Sequence, residues 1–269
     1  MSLAVVIKAP SGLVLAADSR VTLGVTNQAT SESFPVHYDN ATKLLRFNPP
    51  NSFVAAATYG QAVIPGHDRT AENFLPEFEA GMGDKRLSVG AFGKRFSDFY
   101  AEQWKDVKEY KGPPMLFVMA GYDEGAPYGR VFQFSLPQQP KPRETWPKSG
   151  EFGIVWGGQM ETVDRMVKGW RLGLPERIAE RLGLSDEQKA KIMEVLGEEQ
   201  TIFPLQAMGL QDCVDLAILL IQSTISLQRL AVTLRGVGGP VDVVTITRTD
   251  GLRGVQLKEI IGEAVASRR

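Results

Sequence analysis

The 269-residue chain has a single cysteine and only two histidines, and its 30 basic and 31 acidic side chains leave a net charge of −1. One cysteine excludes an intrachain disulfide and a cysteine-rich metal site, and it fits a reducing compartment. Two histidines leave little for a histidine-based metal cluster. A balanced charge provides no electrostatic footprint for nucleic acid or an anionic membrane. Long apolar runs are also scarce. The start is apolar for only five residues (3–7) before Lys8, too short for a secretory core, and no basic stretch precedes it. The most apolar segment, residues 213–232, is broken by Asp215, Gln222, Gln228 and Arg229 and reads as a buried core helix, not a membrane span. These features lead us to expect a cytoplasmic protein with no membrane or nucleic-acid partner.

The familiar catalytic signatures are missing as well. There is no GxxxxGK[ST] loop, HExxH, CxxC or GxSxG elbow. A Ser-His-Asp triad has only His37 and His67 to draw on, both in polar, loop-like sequence where histidines are usually just solvated. Cys213 sits in the apolar helix and reads as a small core residue. Gly236-Val237-Gly238-Gly239-Pro240 follows a helix and precedes a strand, which marks a turn and not a phosphate cradle. Trp156-Gly157-Gly158-Gln159 joins a strand to a helix, where it permits either anion binding or tight packing, with packing favoured.

What the chain does contain is an ordered series of elements. Residues 3–8 and 13–17 form short apolar runs around the turn signal Ala9-Pro10-Ser11-Gly12, and being apolar on both faces they predict a hairpin covered on both sides. Residues 43–47 and 52–58 form a second pair. Helices follow near 70–80 and 88–108, then strands at 115–121 and 129–135, a proline-rich loop over 137–147, and a short strand at 152–156. Helical patterns then cover 161–182, with a break at Pro175, 185–196 and 210–232, before strands at 241–248 and 253–257. This order predicts an α+β fold of two antiparallel sheets with helical layers outside, not a βαβ series. No linker or repeat divides it, so one domain over 1–269 is expected.

Ser2 is the residue with chemistry to offer. A small second residue favours removal of Met1, which leaves Ser2 with a free α-amine of pKa about 7.7–8.0, a general base near neutral pH. Nucleophile and base then share one residue. With the first hairpin turning near residue 10, Ser2 lies across from either Asp18 or Ser19. The two registers differ by half a step, and a one-residue slip exchanges faces. An ordinary strand-end ion pair between Asp18 and Arg20 is the plain alternative.

The string LAVVIKAPSGLVLAADSRVTLG resembles the N-terminus of proteasome β-type subunits and related bacterial peptidases, which are N-terminal nucleophile hydrolases. Ala41-Thr42-Lys43, the strand ending Thr58-Tyr59-Gly60, the segment Ala120-Gly121-Tyr122-Asp123-Glu124 and VDVVTITRTDG at 241–251 continue the likeness in order. The resemblance implies a four-layer αββα sandwich, with an enlarged helical region at about 160–235. It implies Ser2 as nucleophile, Lys43 and Asp18 as a charge pair that activates it, Arg20 as a support of that cluster, and the Gly60 N–H as an oxyanion donor. It also implies a cleft wall of Val21, Thr22, Ala41, Leu45, Thr58 and Ala62, suited to an apolar side chain. No cofactor or metal is implied. The expected activity is peptide or amide hydrolysis by a homo-oligomeric ring or stacked ring acting on a peptide or protein substrate, with an ATPase partner left open. Acyl transfer at the same site, or a non-catalytic ring scaffold, are the alternatives. Serine replaces the family's threonine, Gly158 and Gln159 stand where the family has a serine, and Gln228 stands where it has an aspartate.

Overall fold

The hairpin predicted from the doubly apolar start is the centre of the molecule. In the computed structural model, which describes residues 2–67, 69–107 and 109–261, β1 (Leu3–Ala9) and β2 (Gly12–Asp18) are buried along their whole length. Strand geometry sends alternate side chains to opposite faces. Leu3, Val5, Ile7, Val14 and Ala16 meet one helical layer, while Ala4, Val6, Leu13, Leu15 and Ala17 meet the other sheet.

The first sheet has the order β12 (Gly153–Gly158), β1, β2, β13 (Val241–Thr247), β14 (Gly251–Gln256). The second runs β11 (Gln139–Glu144), β10 (Arg130–Leu136), β9 (Met115–Gly121), β6 (Val54–Gly60), β5 (Leu44–Arg46). All pairings in both are antiparallel. Helices α1 (Leu75–Ala80) and α2 (Val89–Gln103) cover the outside of the second sheet through an aromatic cluster, and Ser88 caps α2 by accepting from the Ala91 N–H. Helices α3 (Glu161–Lys168) and α6 (Leu210–Leu230) cover the first, with α4 (Leu174–Leu182) and α5 (Asp186–Glu198) between them in sequence. The architecture is the four-layer αββα sandwich. Helix α6 is the one described helix long and apolar enough to cross a membrane, and it buries Cys213, Val214, Ala217, Leu220 and Ile221 in the core against β1 and β2.

Several element boundaries differ from expectation. Residues 21–38, given no element by the sequence pattern, form a separate ribbon of β3 (Val21–Thr26) and β4 (Ser33–Tyr38). Its pairs Val21–Tyr38, Leu23–Val36 and Val25–Phe34 share one face, and Leu23, Val25, Phe34 and Tyr38 are exposed. The proline-rich stretch contains β11, an edge strand, where a missing N–H costs no ladder bond. The helical break spans 169–173, ahead of Pro175, which sits in the first turn of α4 where it has no bond to lose. A two-residue pair, β7 (Val63–Ile64) with β8 (Arg69–Thr70), completes the strands described.

Candidate active site

The register of the first hairpin decides what faces the chain start. Ala9 pairs with Gly12 and Ala4 with Ala17, which continues to Leu3 opposite Asp18 and Ser2 opposite Ser19. The half-step register is the real one. Asp18 still reaches the terminus, because the Leu3 N–H donates to its Oδ1 at 2.9 Å.

Asp18 is fully buried, and four donors surround its carboxylate. Oδ1 accepts from Leu3 N and from the Lys43 ammonium at 2.7 Å, and Oδ2 accepts from Arg20 N at 3.2 Å and Gly238 N at 3.0 Å. A buried charge is tolerable only when so satisfied. Lys43, also buried, donates a second bond to the Arg20 carbonyl at 2.5 Å. Burial pushes the Lys43 ammonium below its ordinary pKa, Asp18 opposes that shift, and the nearby Lys258 and Arg20 charges reinforce it. Lys43 lies just before β5, and the Thr58 N–H donates to its carbonyl at 3.0 Å, so the second sheet brings the lysine to the first.

Arg20 has a different place from the one expected. Its backbone joins the cluster, but its guanidinium forms a two-point ion pair with Asp39 at 2.6 and 2.7 Å and donates to the Arg235 carbonyl at 3.1 Å. The Asp39 hydrogen bond raises the Arg20 pKa, and Arg20 lowers that of Asp39. The half-exposed carboxylate of Asp39 is the better planar match for the fork, while the buried Asp18 is already saturated.

Gly60 ends β6 with φ +85°, and a Cβ there would lie 2.3 Å from the Pro114 carbonyl oxygen, so only glycine fits. Next to it, burial pushes the Tyr59 hydroxyl up to about 12, and the Tyr59 ring packs against Gly157 of β12. At the end of that strand the Gln159 N–H donates to the Ser2 carbonyl at 2.8 Å, and a Cβ on Gly158 (φ +105°) would lie 1.9 Å from the same oxygen. The Gly-Gly pair thus serves close packing on the terminus. Ser2 itself is 5% exposed, and Met1 lies outside the described residues.

Of the expected cleft wall, Val21, Thr22, Ala41, Thr58 and Ala62 are half-buried. Leu45 is a correction: it is completely buried in the aromatic cluster beneath α2, because its side of β5 faces the helices. The Thr58 hydroxyl is buried without a hydrogen-bond partner. His37 is on strand β4, not in a loop, with Nδ1 3.0 Å from the Thr22 hydroxyl. His67 sets its ring edge against Phe74.

Sequence reasoning missed two contributors, Gly238 and Asp39. Gly238, assigned to a turn, both donates to Asp18 and accepts from Ser19 N at 3.0 Å. Gln228, already visible in the sequence as a departure from the resembled family, donates to the Gln159 side chain at 2.5 Å and accepts from Val237 N at 2.9 Å, so the amides that stand near the family's serine and aspartate bond to each other. Asp39 went unnoticed in polar sequence, although an acid four residues before Lys43 was a visible signal.

No family model and no curated protein matches the sequence. Solved structures do. The chain is similar to an Anbu (Gly-1) mutant from Hyphomicrobium sp. strain MC1, with TM-score 0.54 and 17% identity over 98% of this chain and 88% of that one. It is similar to Anbu (ancestral beta-subunit) from Yersinia bercovieri, with TM-score 0.53 and 15% identity over 94% and 86%. A helical assembly of the Anbu complex from Pseudomonas aeruginosa matches with TM-score 0.54 and 17% identity over 99% and 90%. The fold is shared. This corrects the resemblance to proteasome β-type subunits: the similar structures are of Anbu, which is proteasome-like but a distinct family.

Proposed function

We propose that the chain is an N-terminal serine hydrolase of proteasome-like fold, cleaving peptide or other amide bonds with Ser2 as nucleophile once Met1 is removed. The observation that carries this reading is the buried Asp18–Lys43 pair, tied by the Leu3 N–H to the residue next to Ser2. Burying such a pair costs several kcal/mol per ion before attraction repays it, and well-packed apolar residues often hold a fold as well or better. A charge pair kept at that cost and bonded to the residue after Ser2 is suited to lowering the pKa of the Ser2 hydroxyl.

In this mechanism the α-amine of Ser2 takes the hydroxyl proton as the oxygen attacks the amide carbonyl. Lys43 stabilises the developing negative charge, and Asp18 keeps Lys43 protonated. The Gly60 N–H serves the oxyanion, a role in which one donor is typically worth about 2.7–4 kcal/mol. The amine then protonates the leaving group, and water releases the acyl group from Ser2. Val21, Thr22, Ala41, Thr58 and Ala62 form the wall beside it.

Copies of the chain assemble into a homo-oligomer, a reading supported by the helical assembly of the Pseudomonas aeruginosa Anbu complex and by the exposed apolar face of the β3–β4 ribbon. The rival is a non-catalytic scaffold, favoured by the complete saturation of Asp18, which a purely structural ion would also need.

Intact-mass measurement of protein from a normal cytosol, followed by a hydroxyl-reactive covalent inhibitor, tests the reading. Loss of Met1 and labelling at Ser2 support it; retained Met1, or labelling at another serine, overturns it. Light scattering well above the 29.5 kDa chain mass supports assembly, and a strict monomer at micromolar concentration overturns that part.

A further inference from the structure

A second buried carboxylate stands beside the first, and the proposed reaction does not use it. Asp242, on β13, is 4% exposed and lies across the ladder from Ala17, one residue short of Asp18. Its Oδ2 forms a close ion pair with the Lys258 ammonium and receives the Ser19 hydroxyl at 3.5 Å, while its Oδ1 accepts the Lys258 main-chain N–H at 2.7 Å. One carboxylate therefore holds both the backbone and the side chain of Lys258, two residues beyond the end of β14.

Ser19 is the junction between this pair and the candidate site. Its N–H goes to Gly238, its carbonyl accepts from Ala41 at 2.9 Å, and its neighbours in sequence, Asp18 and Arg20, both hold Lys43. Asp242 and Lys258 also line, with Asn40, Thr42 and Leu44, a cavity of about 420 Å³ alongside the segment that carries Lys43. Glu259 and Ile260, which follow Lys258, are exposed. Leu257 gives this segment an apolar contact, and Asp242 adds a charged one that holds Lys258 on one side and meets the Ser19 hydroxyl on the other.

We propose that Asp242 and Lys258 form a latch through which the segment after β14 positions Ser19 and the Asp18–Lys43 pair. They are positioning residues, and the proposal rests on the reading of Lys43 as the ammonium of the reacting site. The charged groups around Lys43 are Asp18 from β2, the Arg20 guanidinium with its partner Asp39, and Lys258 with Asp242, joined by the Ser2 α-amine once Met1 is gone. Lys258 acts on Lys43 in the same direction as burial does, and Asp242, the anion paired with Lys258, is of the opposite sign. In the intact latch the two charges are of opposite sign, so removing either one changes the field at Lys43 in a known direction.

Removing either charge gives a signature that mere structural damage would not produce. In Lys258→Met the uncompensated Asp242 should raise the Lys43 pKa, and in Asp242→Asn the uncompensated Lys258 should lower it. The double variant, in which neither charge remains, should return near the parent value, and Lys258→Arg should behave as the parent. The Lys43 titration is followed by NMR of the full chain carrying 13Cε-lysine, its signal assigned with Lys43→Arg, so the readout needs no activity. The alkaline limb of the kcat profile should move with the Lys43 pKa, with KM little changed. Opposite shifts in the two single variants with recovery in the double support the latch, even if the parent cleaves no amide, in which case the hydrolase reading fails alone. Should Lys258→Met not fold, Asp242→Asn carries the test. An unmoved Lys43 in the single variants that fold, or shifts of the same sign in both, overturns the latch whether or not the protein is active.

Discussion

The interior beneath α2 and the interior at the ends of β1 and β2 are built on opposite terms. Under α2 the space is filled by rings: Phe96 alone meets Phe47, Phe78, Tyr100, Phe117 and Phe134 at centroid separations of 4.9–5.9 Å, mostly edge to face. The Tyr100 hydroxyl there donates to the Ala71 carbonyl at 2.5 Å, while the buried Trp104 indole N–H has no hydrogen-bond partner among the described residues. At the other end small residues such as Ala4, Ala17, Ala55 and Ala57 line the gap between the sheets, and the buried groups at its edge are Asp18 and Lys43. Rings stabilise by area and tolerate neighbours of many kinds. A buried carboxylate needs donors aimed at it, and Asp18 takes them from β1, from Arg20, from Lys43 and from the 236–240 segment. Damage to the first region should therefore appear as lost stability, and damage to the second as lost chemistry.

The sharpest separation is expected from the double change Lys43→Met with Asp18→Asn. It removes both charges at nearly constant volume, so the protein should fold and assemble while amidase rates on a panel of peptide amides fall by about a thousandfold or more. Substantial activity in that variant would move the chemistry elsewhere. The mirror experiment is Phe96→Ala, which should cost about 3–5 kcal/mol in chemical denaturation and leave kcat per folded molecule unchanged. A parallel fall in kcat would show that the two regions are coupled.

Gly158→Ala sits between these extremes. Left-handed strain of about 1–3 kcal/mol should come with a reduced rate, since the added methyl displaces the Ser2 carbonyl; melting and kinetics on the same sample check both. A smaller effect concerns pH. Because the folded Lys43 pKa lies below its ordinary 10.5, the unfolded chain binds a proton that the native chain has released between those two values. Stability from this group is thus lowest below the folded pKa and rises with pH across that window. Denaturation as a function of pH should show the rise in the parent and not in the Lys43→Met, Asp18→Asn variant. Least of all should follow from His37→Ala and His67→Ala, each within about 0.5 kcal/mol of the parent and retaining most activity. Loss of activity in either would place a histidine in the mechanism.

Legibility followed the same division. The layered fold could be read because β1 and β2 are apolar on both faces, and α2 carries its Phe92, Phe96 and Tyr100 on one helical face. β11 escaped because Pro140 and Pro142 argue against a strand unless it is known to be an edge. The β3–β4 ribbon escaped because Gly24, Asn27 and Pro35 outweighed the alternation of Val21, Leu23 and Val25 with Phe34, Val36 and Tyr38. Ser2 and Asp18 could be singled out from the hairpin, and Lys43 from the resemblance. Which of them touch, and through what, could not.

What the chain's order of residues determined alone is the set of buried strands, the helices that cover them, and the presence of a serine, an aspartate and a lysine able to form a charge cluster. Local patterns settle these, since burial follows from apolar periodicity and a side chain's chemistry travels with it. Only the tertiary structure decided that Ser19 and not Asp18 lies across from Ser2, that Arg20 turns to Asp39, that Leu45 belongs to the aromatic cluster, and that Gly238, 220 positions from Asp18, completes its donors. The reason is physical: a half-step of register carries no local cost in a hairpin buried on both sides, and a backbone N–H has no residue identity to read until the fold brings it to an acceptor.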